Sequence, residues 1–181
     1  ECGNAVADVV SGKVNPSGRL PMTFPMKYAD IPSANNYPYV GQTEGRNFDY
    51  TNYEEDIWVG YRYFSTSHRR VSFPFGYGLS YTNFAYSKPS VKKVGDKWAV
   101  SVKVKNAGRV SGREVVQLYV RSNQKTDSIT KPEAELKAFA KTKLLLPGES
   151  ETVMLSFSAR DIATFDEQAS AWRTDKASYT V

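Results

Sequence analysis

Cysteine, histidine and long apolar runs are all but missing from this chain of 181 residues, and each absence removes a class of chemistry. Cys2 is the only cysteine, which excludes an intrachain disulfide framework and a thiolate metal site. His68 is the only histidine, so a Ser-His-Asp triad would have to be built around that one imidazole. No apolar stretch approaches the ~20 residues that a membrane-spanning helix needs. Asp49, Asp127 and Asp161 have no partners at ligand spacing, so no metal site is expected. An initiator methionine is missing too. The chain opens on Glu1-Cys2-Gly3, so we expect that it does not begin where translation did, and its lack of a signal peptide carries no information.

What is present is a foldable composition. With 40% apolar and 13% aromatic residues the chain can bury a core, which argues against disorder. Its net charge is +5, from 24 Lys and Arg against 19 Asp and Glu. Lys92-Lys93, Lys103, Lys105, Lys137, Lys141 and Lys143 are dispersed, mostly at spacings that suit the polar faces of strands. A solvated surface is the favoured reading. Nucleic-acid binding would need a basic stripe with interleaved aromatics, which is absent.

The most unusual stretch is Phe73-Pro74-Phe75-Gly76-Tyr77-Gly78-Leu79-Ser80-Tyr81, where rings, glycines and a proline crowd into nine residues. We read it as a seam at which an aromatic plug pins a β-domain to whatever precedes it. Upstream, Asn4 to Val10 has apolar residues at helical spacing, with Asn4 as the expected N-cap and Gly12 as the stop. Asn15-Pro16-Ser17-Gly18 reads as a tight turn. Leu20, Met22 and Phe24 alternate, while Pro21 and Pro25 restrict that segment to a sheet edge. Helix, turn and edge strand together look like the last unit of an α/β sheet. Residues 27–51 form a long loop in which Tyr28, Tyr37, Tyr39, Phe48 and Tyr50 can serve as anchors.

Downstream of Tyr81 the period changes to two. Trp98, Val100, Val102 and Val104 face one way, and Ser101, Lys103 and Lys105 the other. Strands are expected at 115–120, around Leu136 and Phe139, at Leu144 to Leu146, at 153–157 and at 179–181, with a turn at Pro147-Gly148-Glu149. Ser158 and Asp161 form a helix-start signature, so a short helical turn is expected near Ile162. About seven short strands with regular turns indicate an immunoglobulin-like or fibronectin-type-III-like sandwich. Trp98 and Trp172 are expected in its core, and Tyr119, Phe139 and Phe157 point there as well. His68, beside Arg69-Arg70, is expected at the surface.

Asn4 to Pro25 resembles the closing segment of the α/β sandwich domain of glycoside hydrolase family 3. Tyr53-Glu54-Glu55-Asp56-Ile57-Trp58-Val59-Gly60-Tyr61-Arg62-Tyr63-Phe64 resembles that family's Tyr-x-Glu-Gly-Ile-x-Val-Gly-Tyr-Arg block, and Phe75 to Thr82 resembles the motif that opens its fibronectin type III-like domain. Val116 to Val120, Glu135 to Phe139 and Leu146 to Glu149 are similar to that domain's interior. Two positions depart from the pattern. Cys2 and Asp56 stand where glycine is usual; a glycine at 56 would imply positive φ, which aspartate tolerates at modest cost.

The resemblance implies a mainly β fold: a fibronectin type III-like (immunoglobulin-like) sandwich over 73–181, preceded by the end of an α/β sandwich domain over 1–26 and an interdomain linker over 27–72. It implies a retaining β-glycosidase, β-glucosidase-like, that works with two carboxyl groups about 5 Å apart and needs no cofactor. It also implies that both carboxyl groups lie outside this chain, so no catalytic residue is assigned here and the isolated chain is expected to be inactive. The implied partners are an upstream (β/α)8 barrel, the rest of the α/β sandwich domain and an oligosaccharide or glycoside substrate. A homodimer is left open, and the implied location is periplasmic or secreted.

Within the chain, Glu54, Glu55 and Asp56 form the only acidic cluster beside aromatics. In extended structure they would alternate between faces and could not converge. Glu55 is read as a structural partner of Arg62, and Gly76 and Gly78 as turn-permitting positions. Trp58 and Tyr61 could stack on a sugar, although a plug role is preferred. The rival reading is a non-catalytic immunoglobulin-like module that binds carbohydrate or protein, which requires exposed aromatics in line on one sheet face.

Overall fold

The computed structural model describes residues 1–35, 53–123 and 131–181. Tyr37, Tyr39, Phe48, Tyr50, Asp49 and Asp127 lie outside the described residues. Cα packing divides the chain into two units: Glu1–Arg19 with Gly78–Thr130 and Glu135–Val181, and Leu20–Tyr77 with Lys131–Ala134. The stretch 1–26 is thus divided after Arg19, and the aromatic stretch 73–81 after Tyr77.

The larger unit is built on a sandwich. One sheet is centred on β5 (Lys97–Asn106), which pairs along its length with β8 (Ser150–Ser158) and, on its other edge, with β3 (Phe84–Tyr86) and β4 (Ser90–Val94). In the second sheet β6 (Val115–Ser122) lies between β7 (Glu135–Lys141) and β11 (Tyr179–Thr180). All of these pairings are antiparallel. Period-two patterning accounts for the core. Val100, Leu118, Val120, Phe157 and Ile162 form one buried cluster, and Val102, Val104, Val116, Leu145 and Val153 another. Among the described residues, seven strands form the fibronectin type III-like sandwich that the spacing predicts. A hairpin of β9 (Thr164–Asp166) and β10 (Ala171–Arg173) is added beside it in sequence.

Several expectations are corrected at the level of faces. Trp98 does reach the core, stacked on its cross-strand partner Phe157 at 5.4 Å. Trp172 does not: it is 51% exposed on the hairpin, edge-on to Phe165 at 5.5 Å and under the Arg160 guanidinium at 4.3 Å. Phe139 is 69% exposed because Ala138 and Ala140 take the inward positions of β7. Leu145 is buried, whereas Leu144 and Leu146 on either side are exposed; Leu145 makes only an isolated bridge to Gly112. The Ser158–Asp161 signature forms its box, with Asp161 accepting from Ser158 N at 2.7 Å and Ser158 Oγ at 2.8 Å. The chain there makes turns and then enters β9 without an α-helix.

Asn106 closes the end of β5. It is fully buried, and its side-chain amide donates to the carbonyls of Val110 (2.8 Å) and Leu145 (2.9 Å). Its Oδ1 accepts from Thr82 Oγ1 at 2.6 Å and Gly108 N at 3.1 Å. Every hydrogen-bonding group of the amide is used, which is what burial of so polar a side chain requires.

The N-terminal segment packs with this unit. α1 spans Cys2–Val10, so it starts before Asn4, and Glu1 is its N-cap without a side-chain bond. Gly12 stops it with φ 77°, as predicted. No residue of α1 is buried, and Val6 and Val10 are largely exposed. Asn15 ties the following turn to the sandwich: Nδ2 donates to Ser111 O at 2.9 Å, and Oδ1 accepts from Tyr81 N at 2.8 Å and Ser80 Oγ at 3.1 Å. The Tyr81 hydroxyl donates to the Val9 carbonyl at 2.8 Å.

In the smaller unit β1 (Phe24–Pro25) pairs with β2 (Val71–Phe73). The predicted edge strand thus forms, in a two-stranded ribbon made with a partner from this chain. Two 3-10 turns lie at Tyr28–Asp30 and Pro32–Asn35, in the described part of the stretch expected as a loop. α2 (Gly60–Thr66) occupies part of the block read as extended.

Candidate functional site

The block 53–66 carries most of the residues that invite a functional reading, and its backbone is turn followed by helix. Asp56 N donates to Tyr53 O (3.3 Å) and Trp58 N to Glu55 O (2.8 Å), and Asp56 adopts φ 51°. Aspartate therefore takes the left-handed position that its replacement of glycine implied. Because the acids lie in turns, strand alternation does not separate them. They still differ in environment: Glu54 and Asp56 face solvent, while Glu55 is half-buried. Gly60, with φ 54°, turns the chain into α2.

α2 positions the aromatic candidates. Phe64 is its buried anchor. Tyr61 stacks on Phe75 at 4.7 Å and 26°, so one of its faces is already occupied. Trp58 and Arg62 are half-buried. The helix closes on His68: Arg69 N donates to Phe64 O and His68 N to Ser65 O, both at 3.1 Å, with His68 at φ 51°. This is a Schellman closure with histidine in the glycine position. The His68 imidazole is at the surface as expected, 4.0 Å from Glu133.

The aromatic stretch divides its labour. Phe73 contacts Phe24 edge-on at 6.3 Å and Tyr77 at 5.1 Å. Gly76 has φ 77°, and its N–H donates to Leu20 O at 2.8 Å, so it is a true turn glycine. Gly78 is different. Its φ is not positive, and a Cβ there would collide with the Gly18 carbonyl and the Arg19 side chain. Close approach, and not a turn, is what excludes other residues at 78.

That close approach leads to the strongest electrostatic feature of the larger unit, which sequence reasoning missed. Arg19 Nη2 pairs with Glu114 Oε1, their side chains only 15% and 11% exposed. Glu114 Oε1 also accepts from Val115 N at 2.7 Å, and Glu114 N donates to Thr142 Oγ1 at 3.0 Å. Tyr86 joins the pair. Burial first, and then the Glu114 charge and hydrogen bond, push its phenol up to about 12. Glu114 stands 95 positions from Arg19, and the sequence offers no periodic signal for that separation. The only local hint is a carboxylate placed immediately before an apolar strand. Chemically the cluster is committed: its single carboxylate is neutralised by a guanidinium and several hydrogen bonds, which suits a brace and not acid–base turnover.

Metal binding finds no support in the described residues, where no group of three or more His, Cys, Asp or Glu gathers. Asp161 instead bonds to Ser158, which holds its carboxyl below the usual range. Among the described residues no helix is long and apolar enough to cross a membrane.

Sheet order and core define the class, a fibronectin type III-like sandwich with an N-terminal helical segment bound to it. Comparison with known proteins gives the family. Residues 1–81 match the Glycosyl hydrolase family 3 C-terminal domain, and residues 114–181 match the Fibronectin type III-like domain. The chain belongs to glycoside hydrolase family 3 and corresponds to the C-terminal region of its members. It is 44% identical to Probable beta-glucosidase K of Emericella nidulans, covering 100% of this chain and 20% of that protein. It is likewise 44% identical to Thermostable beta-glucosidase B of Acetivibrio thermocellus, covering 99% of this chain and 23% of that protein. Beta-glucosidase 3B from Thermotoga neapolitana, solved in complex with glucose, superposes with a TM-score of 0.80 at 46% identity, over 91% of this chain and 22% of that one. The chain thus spans between a fifth and a quarter of the length of these relatives.

Proposed function

We propose that the chain is the C-terminal, structural part of a retaining β-glycosidase that releases terminal β-linked sugars, most of all β-glucosides. The observation that carries this reading is the end-to-end similarity to β-glucosidases several times longer. Retaining hydrolysis needs a nucleophilic and an acid/base carboxyl about 5 Å apart. The most sequestered carboxylate discussed above, Glu114, is committed to Arg19. As the family resemblance implies, both catalytic groups are assigned to parts of the enzyme outside this chain.

In this reading 1–26 closes an α/β domain, 27–72 links, and 73–181 is the fibronectin type III-like domain. Glu55 and Arg62, both half-buried in the block around α2, hold that block together, and Trp58 and Tyr61 pack it. A complete enzyme of this kind would be exported to the periplasm or secreted. Incubating the isolated chain with aryl β-glucosides should give no turnover above the uncatalysed rate; measurable hydrolysis would place a complete site here and overturn the assignment. Glu55→Gln in the complete enzyme should alter stability with little loss of turnover per folded molecule, whereas a several-thousand-fold loss with folding intact would make Glu55 catalytic.

One observation favours the binding-module alternative. Phe139 projects outward from β7, across from Gln117 on β6, and Tyr119 Oη donates to Gln117 Oε1 at 2.7 Å. Retention of the chain on insoluble glucan, lost in Phe139→Ala, would establish that reading.

A further inference from the structure

The outer face of the β4–β5–β8 sheet collects cations that look dispersed in the sequence. Val100, Val102 and Val104 of β5 are buried, so Ser101, Lys103 and Lys105 project from the opposite face. The register sets Thr152 beside Lys103 and Met154 beside Ser101, and on the other edge Lys92 lies beside Ala99. The only acid in these three strands, Glu151, pairs with the inward residue Val104, and its carboxylate accepts from Lys143 N at 2.8 Å. Several other cations are paired: Lys13 with Asp8, Lys137 with Glu135, Lys143 with Glu149 and Arg173 with Asp166. Among the described residues, Lys92, Lys103 and Lys105 have no ion-pair partner, and all three are exposed.

We propose that this face is a docking surface for an acidic polysaccharide, a polymer of carboxylate-bearing sugars. The idea stands apart from hydrolysis and concerns where the protein is held. Lys103 and Lys105 are about 7 Å apart along the strand, and the position beside Lys92 is about 13 Å further on, so the three ammonium groups follow a line of about 20 Å. A small anion cannot meet all three, whereas an extended polyanion can. Ser101 and Ala99 lie between the lysines along β5, with Thr152 and the exposed Met154 beside them, and leave a face on which a sugar chain can lie. Nucleic acid fits less well, because no outward position of these strands offers an aromatic ring on which a base could stack.

The test is native electrophoresis of the protein through gels containing polygalacturonate or neutral dextran. Polygalacturonate should retard it and dextran should not, with the retardation fading as salt rises. Lys92→Gln, Lys103→Gln and Lys105→Gln together should weaken polygalacturonate binding by about tenfold or more, equivalent to about 1.4 kcal/mol. A control with Lys27→Gln, Lys141→Gln and Lys176→Gln has the same net charge and should bind as the parent does. Equal losses in both triple variants would reduce the effect to net charge and overturn the proposal. So would absence of retardation in the parent, or tighter binding to double-stranded DNA or polyglutamate than to polygalacturonate.

Discussion

His68 carries a side chain where the backbone favours none. Its left-handed φ closes α2, and a β-carbon in that region costs roughly 1–2 kcal/mol, partly offset by the extra unfolded-state entropy of glycine. We therefore expect His68→Gly to raise stability by about 0.5 kcal/mol, read as a higher urea midpoint with an unchanged m-value. Asn106 lies at the other extreme. Asn106→Ala would leave the buried Thr82 hydroxyl, the Gly108 amide and the Val110 carbonyl without this partner and take one of two donors from the Leu145 carbonyl, and should cost about 2–4 kcal/mol in the same assay. Tyr86 gives a pH signature. Its phenol titrates higher folded than unfolded, so the folded state holds the proton longer. Its contribution is fully present below pH 10 and is lost as pH rises through about 12. Tyr86→Phe should lose that contribution near neutrality and flatten the stability profile between about pH 10 and 12.

Among the elements, the N-terminal segment depends on two tight fits. Gly78→Ala would drive a methyl into the Gly18 carbonyl and displace the Arg19 side chain from Glu114, and should cost about 2 kcal/mol or more. Glu114→Gln, which keeps the shape but removes the charge, should cost less than Arg19→Ala, which leaves a nearly buried carboxylate unpaired. Thermal unfolding of the three variants checks that ranking. Strands with strict alternation, β5 and β8 above all, were legible in the sequence because each valine pattern has one buried face. β7 was misread at Phe139 because the small residues Ala138 and Ala140 do the packing, and a period count weights a phenylalanine above an alanine. The block around α2 was misread for another reason: seven residues are too few for helical periodicity to show, and the Schellman closure has no glycine to announce it. The Arg19–Glu114–Tyr86 cluster joins three distant segments, and pattern reasoning reads only neighbours.

For the whole molecule, the division into two units has a consequence in time. The chain passes from one unit to the other after Arg19, after Tyr77, after Thr130 and after Ala134. Neither unit is a continuous segment, so a ribosome delivers them in alternating instalments. Asn15 and Arg19 emerge long before Ser111 and Glu114, which they bind. At about 5–20 residues per second, the N-terminal segment waits several seconds without the partners that Asn15 and Arg19 bind. Contacts of such sequence separation also slow folding once the chain is complete. A nascent chain stalled before residue 114 should therefore be cut rapidly by protease between α1 and Arg19, and one stalled well past Val181 should resist. Equal protection at both lengths would show that the segment finds shelter elsewhere during synthesis. The sandwich is made after the segment that binds it, so Asn15 and Arg19 cannot form these contacts until it arrives.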